Sequence, residues 1–267
     1  MPYHCTLTER DGAILRVRLN RPDKLNALSL QLVRELAEIA AEVRNDPTVR
    51  AVLLTGSGRA FCTGADLKDP ALAGETGHPD GTLVAHLLRT VMNPMIQQWY
   101  RLPVPVVVAV NGVAVGAGIS LALVGDIVIA TESASFSLPF IPRLGIIPDL
   151  GATFGLQQRL SVARIKGLTL LGKDVPARVA AEWGLIWDCV EDNAFNAHVT
   201  AVTRQLARGP TSAIVALKSL LADGQGASLE AQLEREAQVQ ATLADSQDFH
   251  EGLDAFRQRR EPFFRGR

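Results

Sequence analysis

Two segments of small residues constrain this chain more than anything else in it: FCTGADLK at residues 61 to 68 and NGVAVGAGISLALVGDIVIA at residues 111 to 130. Each places small side chains after an apolar, strand-like run and just before a helix-like pattern. The first turn of a helix leaves main-chain N–H groups without intrahelical partners, and these groups point outward. Two such turns converging on one point would make a hole for a negatively charged oxygen. Neither segment is a nucleotide fingerprint. The glycines of GVAVGAG miss the G-x-G-x-x-G spacing, and no Gly-Lys-Ser or Gly-Lys-Thr follows.

The surrounding pattern is strand, turn and helix in recurrence, without a visible sequence repeat. Residues 3 to 9 and 13 to 19 predict two short strands joined at Asp11-Gly12, the second alternating apolar and polar. Ser29 is placed to cap a helix whose apolar positions are Leu32, Val33, Leu36, Ile39, Ala40 and Val43. AVLLTG (51 to 56) and PVVVAVNG (105 to 112) lack alternation, as buried parallel strands do. Between them, DPALAGETGHPDG (69 to 81) predicts a mobile loop and residues 82 to 101 a helix. A short helix is expected over 117 to 124, then strands in DIVIAT and ASFSL, and from about 193 the pattern is helical. The expected division is therefore residues 1 to 192 as a core and 193 to 267 as a helical appendage.

With 267 residues and 47% apolar composition, the chain can bury a large core. Lys and Arg number 27 against 28 Asp and Glu, a net charge of −1 that recommends neither nucleic acid nor a membrane surface as partner. No apolar run reaches the length of a membrane span. The N-terminus reads as strand rather than as a secretory signal, and Cys5, Cys62 and Cys189 have no metal-ligand spacing. Free thiols in a reducing cytoplasm are the expectation, with no metal.

The pair FCTGADLK and NGVAVGAGISLALVGDIVIA, followed by FSLPFIPRLGIIPDLGAT and EGLDAFRQRREPFF, resembles the enoyl-CoA hydratase/isomerase (crotonase) family from RPDKLNAL to the C-terminus. The resemblance implies an α/β fold: a spiral of repeated ββα units with a C-terminal helical region, assembled as trimers or hexamers. It implies acyl-CoA thioester substrates, with coenzyme A as part of the substrate and no other cofactor. Carried over by position, Ala65 and Ala117 would give the two N–H groups of the anion hole. Asp66, Leu67 and Lys68 would line the mouth taken by the pantetheine arm, and Leu25 and Ala27 the CoA nucleotide. Arg259 and Phe264 fall where the family has a CoA-facing basic residue and aromatic, within reach of a neighbouring subunit. Ordinary readings stand beside these: Asp66 as an acid complementing a helix dipole, the glycines as packing of helix on sheet, and Arg259 and Phe264 as surface charge and helix packing.

The number of carboxylates separates the possible reactions. Hydratases of the family hold one water between two glutamates; the first falls at Ser120 here and the second at about Phe140. The stretch from Phe136 to Gly145 is one residue longer than the pattern, but a shift gives only Pro139 or Ile141. Without that pair, hydration loses roughly 10²–10⁴-fold per missing group. Asp149 in IIPDLGAT remains, where isomerase-like members carry their base. An acid there could take a proton beside the thioester and return it elsewhere. Phe140, Ile146, Ile147 and Leu150 are expected to surround it and raise its pKa. Its alternative role is to cap a helix starting near Leu150. Ser120 would be an auxiliary hydrogen-bonding group or a small residue making room for the acyl chain. A hydratase with a rearranged acid, nucleophilic attack by Asp149, and a non-catalytic acyl-CoA-binding scaffold are the competing functions. His78 and His86 lie by the loop, His4, His198 and His250 have no acid at useful sequence spacing, and Cys62 reads as packing.

Overall fold

The structure is a computed structural model that describes residues 3–73, 77–224 and 226–266. Its strands divide between two sheets. The larger has the order β1-β2-β3-β5-β7-β10, built from β1 (Thr6–Asp11), β2 (Ile14–Leu19), β3 (Ala51–Gly56), β5 (Val106–Val110), β7 (Ile127–Thr131) and β10 (Asp188–Val190). The smaller has the order β4-β6-β8-β9, from β4 (Ala60–Cys62), β6 (Val113–Val115), β8 (Ser135–Ser137) and β9 (Val175–Pro176). Each turn of the chain adds a strand to the first sheet, then one to the second, and returns through helix: β3 and β4, β5 and β6, β7 and β8. This is the expected ββα spiral. β1 and β2 form the predicted hairpin, and β2, β3, β5, β7 and β10 pair in parallel.

Helix α1 (Leu30–Asn45) starts where Ser29 Oγ accepts the Leu32 N–H at 3.2 Å, and the six predicted apolar positions face the core. Glu35 lies in the same buried stripe. It accepts from the main-chain N–H groups of His4 and Cys5, each at 2.9 Å, and from Thr6 Oγ1 at 2.9 Å, so it clasps the start of β1 to α1. Burial pushes its carboxyl up, yet the donors of Gln31, His4, Thr6 and Cys5 outweigh that and hold it below the usual range.

The stretch expected as a loop contains a four-residue helix, α2 (Pro70–Ala73), and residues 74–76 lie outside the described residues. The long helix that follows begins at α3 (Gly81–Leu87), widens to a π turn over Leu88–Met92 and continues as α4 (Asn93–Tyr100). Helix α5 (Ala117–Ala122) is short, as predicted. Helices α6 (Ala152–Gln157), α7 (Val162–Leu171) and α8 (Ala177–Trp183) lead to β10. The C-terminal region is α9 (Phe195–Arg208), α10 (Thr211–Asp223), α11 (Leu229–Ala244) and α12 (Gln247–Gln258). Phe195, Val199 and Ala207 of α9 close one face of the larger sheet over Ile14, Leu53, Val107 and Ile129. The main core fills the space between the sheets and α1, α4 and α5. No helix among the described residues is long and apolar enough to cross a membrane.

Candidate active site

The C-terminal ends of three neighbouring strands, β4, β6 and β8, converge on one place. Parallel pairing of β4 with β6 and of β6 with β8 sets their exits side by side, as ligand sites of parallel sheets require. β4 runs into Thr63-Gly64-Ala65, and β6 into Gly116 and the first residue of α5, Ala117. The two turns touch. A Cβ on Gly64 (φ +87°) would stand 2.9 Å from Val115 O and 3.2 Å from Ala117 N. A Cβ on Gly118 would stand 2.1 Å from Cys62 O, so α5 can approach β4 this closely only through glycine. The small residues thus serve helix-on-sheet packing and, through it, bring the two turns together.

The N–H groups there are free for a ligand. Leu28 and Ala65 form a parallel bridge in which Leu28 N donates to Gly64 O (2.7 Å) and Asp66 N to Leu28 O (3.0 Å). That pattern aims the Ala65 N–H away from the bridge. Ala117 is the first residue of its helix, so its N–H has no intrahelical acceptor. Among the described residues neither N–H is given to a protein acceptor.

Beyond β8 the chain makes a π turn over Phe140–Leu144. A π turn holds one residue more than an α turn, which agrees with the extra residue read in this stretch of the sequence. The buried Phe140 ring lies against Gly116, 3.6 Å from where a Cβ would be. Gly145 (φ +68°) ends the turn, and the chain reaches Pro148 and Asp149. Leu150 (φ +49°) and Gly151 (φ +76°) then take left-handed conformations in succession before α6 begins at Ala152.

Asp149 does not cap that helix, since Gly151 is the cap residue and no side chain bonds the start of α6. Its carboxyl is instead largely buried, and Oδ1 has no hydrogen-bond partner. Burial pushes its pKa up to about 6, opposed only by its own main-chain N–H. The four apolar residues read as its neighbours differ in exposure. Phe140 and Leu150 are buried, but Ile146 and Ile147 are 51% and 72% exposed, because the chain leaving Gly145 runs over the surface. Ser120 on α5 is buried and donates its hydroxyl to the main-chain oxygen of Asp149 at 3.0 Å.

The early motif packs beside Ala65. Leu25 and Asn26 are left-handed (φ +50° and +55°), and buried Asn26 donates to Ser57 O and Ala60 O, each at 2.9 Å. Leu25 is half-buried and Ala27 buried. Arg21, which sequence reasoning did not single out, joins the pieces: it donates to Ala27 O and pairs with Asp66 at 2.8 Å. Burial raises the Asp66 carboxyl, but Arg21 and the Lys68 N–H leave it lowered overall, so Asp66 is a structural partner here. Leu67 and Lys68 are exposed at the rim. Arg259 and Phe264 do not join this group within one chain. Arg259 ends α12 in a left-handed conformation, and Phe264 O accepts from Arg50, at the opposite end of β3 from Gly56.

A cavity of about 940 Å³ lies between α4, α6 and α10, and Ser120 and Leu150 reach its wall. Tyr100, Phe154 and Gln158 line it, with Tyr100 Oη donating to Gln158 Oε1 at 2.7 Å. Residues so far apart in sequence gave no motif. Cys62 is fully buried and its thiol is pushed up to about 12, so it stays a packing residue. His198 does have an acid in space, Asp188 at 3.1 Å, correcting the reading from sequence spacing alone. Among the described residues no cluster of three His, Cys, Asp or Glu could hold a metal ion.

A model of the enoyl-CoA hydratase/isomerase family matches residues 9–267. The chain belongs to this family. Over 267 residues it is 41% identical to a protein of Rhodobacter capsulatus named "Probable enoyl-CoA hydratase", covering 100% of both chains. It is 39% identical over 261 residues to the 1,2-epoxyphenylacetyl-CoA isomerase of Escherichia coli, covering 98% of each. The crystal structure of an enoyl-CoA hydratase from Bacillus anthracis superposes with a TM-score of 0.91 at 32% identity, covering 99% of this chain and 100% of that one. The fold is therefore the crotonase spiral. Within it, this member of the enoyl-CoA hydratase/isomerase family has Ser120 and Phe140 at the positions read as those of the hydratase glutamates.

Proposed function

We propose that the chain is an acyl-CoA isomerase that shifts a double bond by proton transfer. Asp149 takes a proton from the carbon beside the thioester, or from its vinylogous position. The negative charge moves to the thioester oxygen, where the Ala65 and Ala117 N–H groups receive it. Asp149 then returns the proton to another carbon on the same face, and the double bond has moved. The observation carrying this reading is the buried Asp149 carboxyl, with Oδ1 unpartnered and a pKa near 6, suited to taking and giving a proton.

Leu25, Ala27, Asp66, Leu67 and Lys68 would border the CoA arm, and Arg259 and Phe264 would act from a neighbouring copy in a trimer or hexamer. In this reading coenzyme A arrives as part of the substrate, no other cofactor takes part, and the setting is cytoplasmic. The named likeness to a hydratase keeps hydration as the second reading. Against it, water would have to be held and activated by one carboxylate.

The experiment is turnover of 3-enoyl-CoA esters in deuterated water, for the wild type and Asp149→Asn. Isomerisation that falls by roughly 10²–10⁴-fold in the variant, with CoA-ester binding retained, supports the proposal. Hydrated product from 2-enoyl-CoA at a rate exceeding isomerisation overturns it in favour of the second reading. Binding without any turnover points to a scaffold.

A further inference from the structure

We infer that Ser120 is a positioning residue for the reaction, fixing the base of the site to the same short helix that carries one donor of the anion hole. The inference rests on Asp149 being that base.

Ser120 is buried, three residues after Ala117 on α5, so the hydroxyl and the Ala117 N–H belong to one face of one rigid turn. The hydroxyl does not point at the Asp149 carboxyl. It donates to the Asp149 main-chain oxygen at 3.0 Å, and the Ala152 N–H donates to the same oxygen at 3.0 Å. Helix α5 on one side and α6 on the other therefore hold that carbonyl. The peptide plane after Asp149 is thereby held, and with it the position of the Cα that carries the side chain.

The local chain does not hold this shape unaided. Leu150 is a non-glycine residue at φ +49°, followed by Gly151 at φ +76°, a run of left-handed conformations that an L-residue does not favour. The buried Leu150 side chain and the Ser120 hydrogen bond are what oppose relaxation. Proton transfer depends steeply on distance and direction, so a base held loosely is a slower base even at full occupancy of substrate. At the position read as that of a hydratase glutamate, this chain has thus exchanged a reacting acid for a bond that aims a different one.

The test compares Ser120→Ala, Ser120→Thr, Asp149→Asn and the double variant Ser120→Ala/Asp149→Asn, following solvent deuterium incorporation into a 3-enoyl-CoA ester. A positioning role predicts that Ser120→Ala lowers kcat by about 10-fold with KM within about 2-fold of wild type, and that Ser120→Thr, which keeps the hydroxyl, recovers most of the rate. It also predicts that the double variant is no slower than Asp149→Asn, because Ser120 acts only through the acid. Additive losses in the double variant, or a Ser120→Ala enzyme with wild-type kcat, overturn the inference. If Ser120→Ala does not fold, the comparison of Ser120→Thr with wild type carries the test, and a Thr variant folded but as slow as the buffer background overturns it. Full activity in Asp149→Asn would instead remove the base assignment, and is told apart because it does not depend on residue 120.

Discussion

The side chain at position 149 sets two expectations of opposite kind. As a base it must be ionised, so kcat should rise with pH through about 6 and level off above it. Asp149→Asn should abolish that limb, measured with a substrate whose own ionisation lies elsewhere. As a buried acid its folded pKa is raised above the unfolded value, so the folded state holds the proton more tightly. Its favourable contribution to stability is present below the unfolded pKa and is lost as pH rises through about 6. Above that, the charge costs on the order of 3 kcal/mol, at about 1.4 kcal/mol per pH unit. Asp149→Asn should therefore melt higher than the wild type at pH 8, by several degrees, with the difference vanishing near pH 4. Calorimetry at the two values checks it; a variant less stable at pH 8 would mean that the carboxylate is well solvated or paired.

At the scale of elements, what was legible in the sequence was whatever local chemistry fixes. The stripe of α1, its Ser29 cap, the unalternating β3 and β5 and the small-residue start of α5 each follow from spacing within one element. The role of Gly118 is different, because its reason is Cys62 O on another strand. Gly118→Ala should cost a few kcal/mol, since a Cβ 2.1 Å from a main-chain oxygen forces α5 off β4. Urea unfolding should register it, and activity should fall together with stability as the two turns separate. Asp149 misled the local reading for a related reason. A carboxylate after proline looks like a cap, but Leu150 and Gly151 insert two left-handed residues before the helix. Ile146 and Ile147 likewise look like core in sequence, and only the exit from the π turn puts them outside. The bond from Ser120 to the Asp149 carbonyl spans 29 residues and has no sequence signature at all.

The whole molecule leaves apolar surface and a basic end without use in a single copy. Trp187, Leu229, Phe256 and Phe263 are each more than two-thirds exposed. Arg260 pairs with Glu251, whereas among the described residues the neighbouring Arg259 makes no ion pair. The tail beyond Arg259 is tied back by the main-chain N–H groups of Arg265 and Gly266, which donate to Asp248 at 2.7 Å each, and by Arg50. In the proposed assembly Arg259 would serve a CoA phosphate held by another copy. Arg259→Ala should raise KM for an acyl-CoA by roughly 3- to 10-fold, corresponding to about 1 kcal/mol, with kcat nearly unchanged. Asp149→Asn alone should be slower by roughly 10²–10⁴-fold. When the two variants are mixed under conditions that exchange subunits, some sites should take Asp149 from one protein and Arg259 from the other. Those sites should recover low-KM activity that neither variant has alone. Recovery of nothing beyond the sum of the two, in a mixture that native mass spectrometry finds to be hybrid oligomers, would return Arg259 to the status of a surface charge.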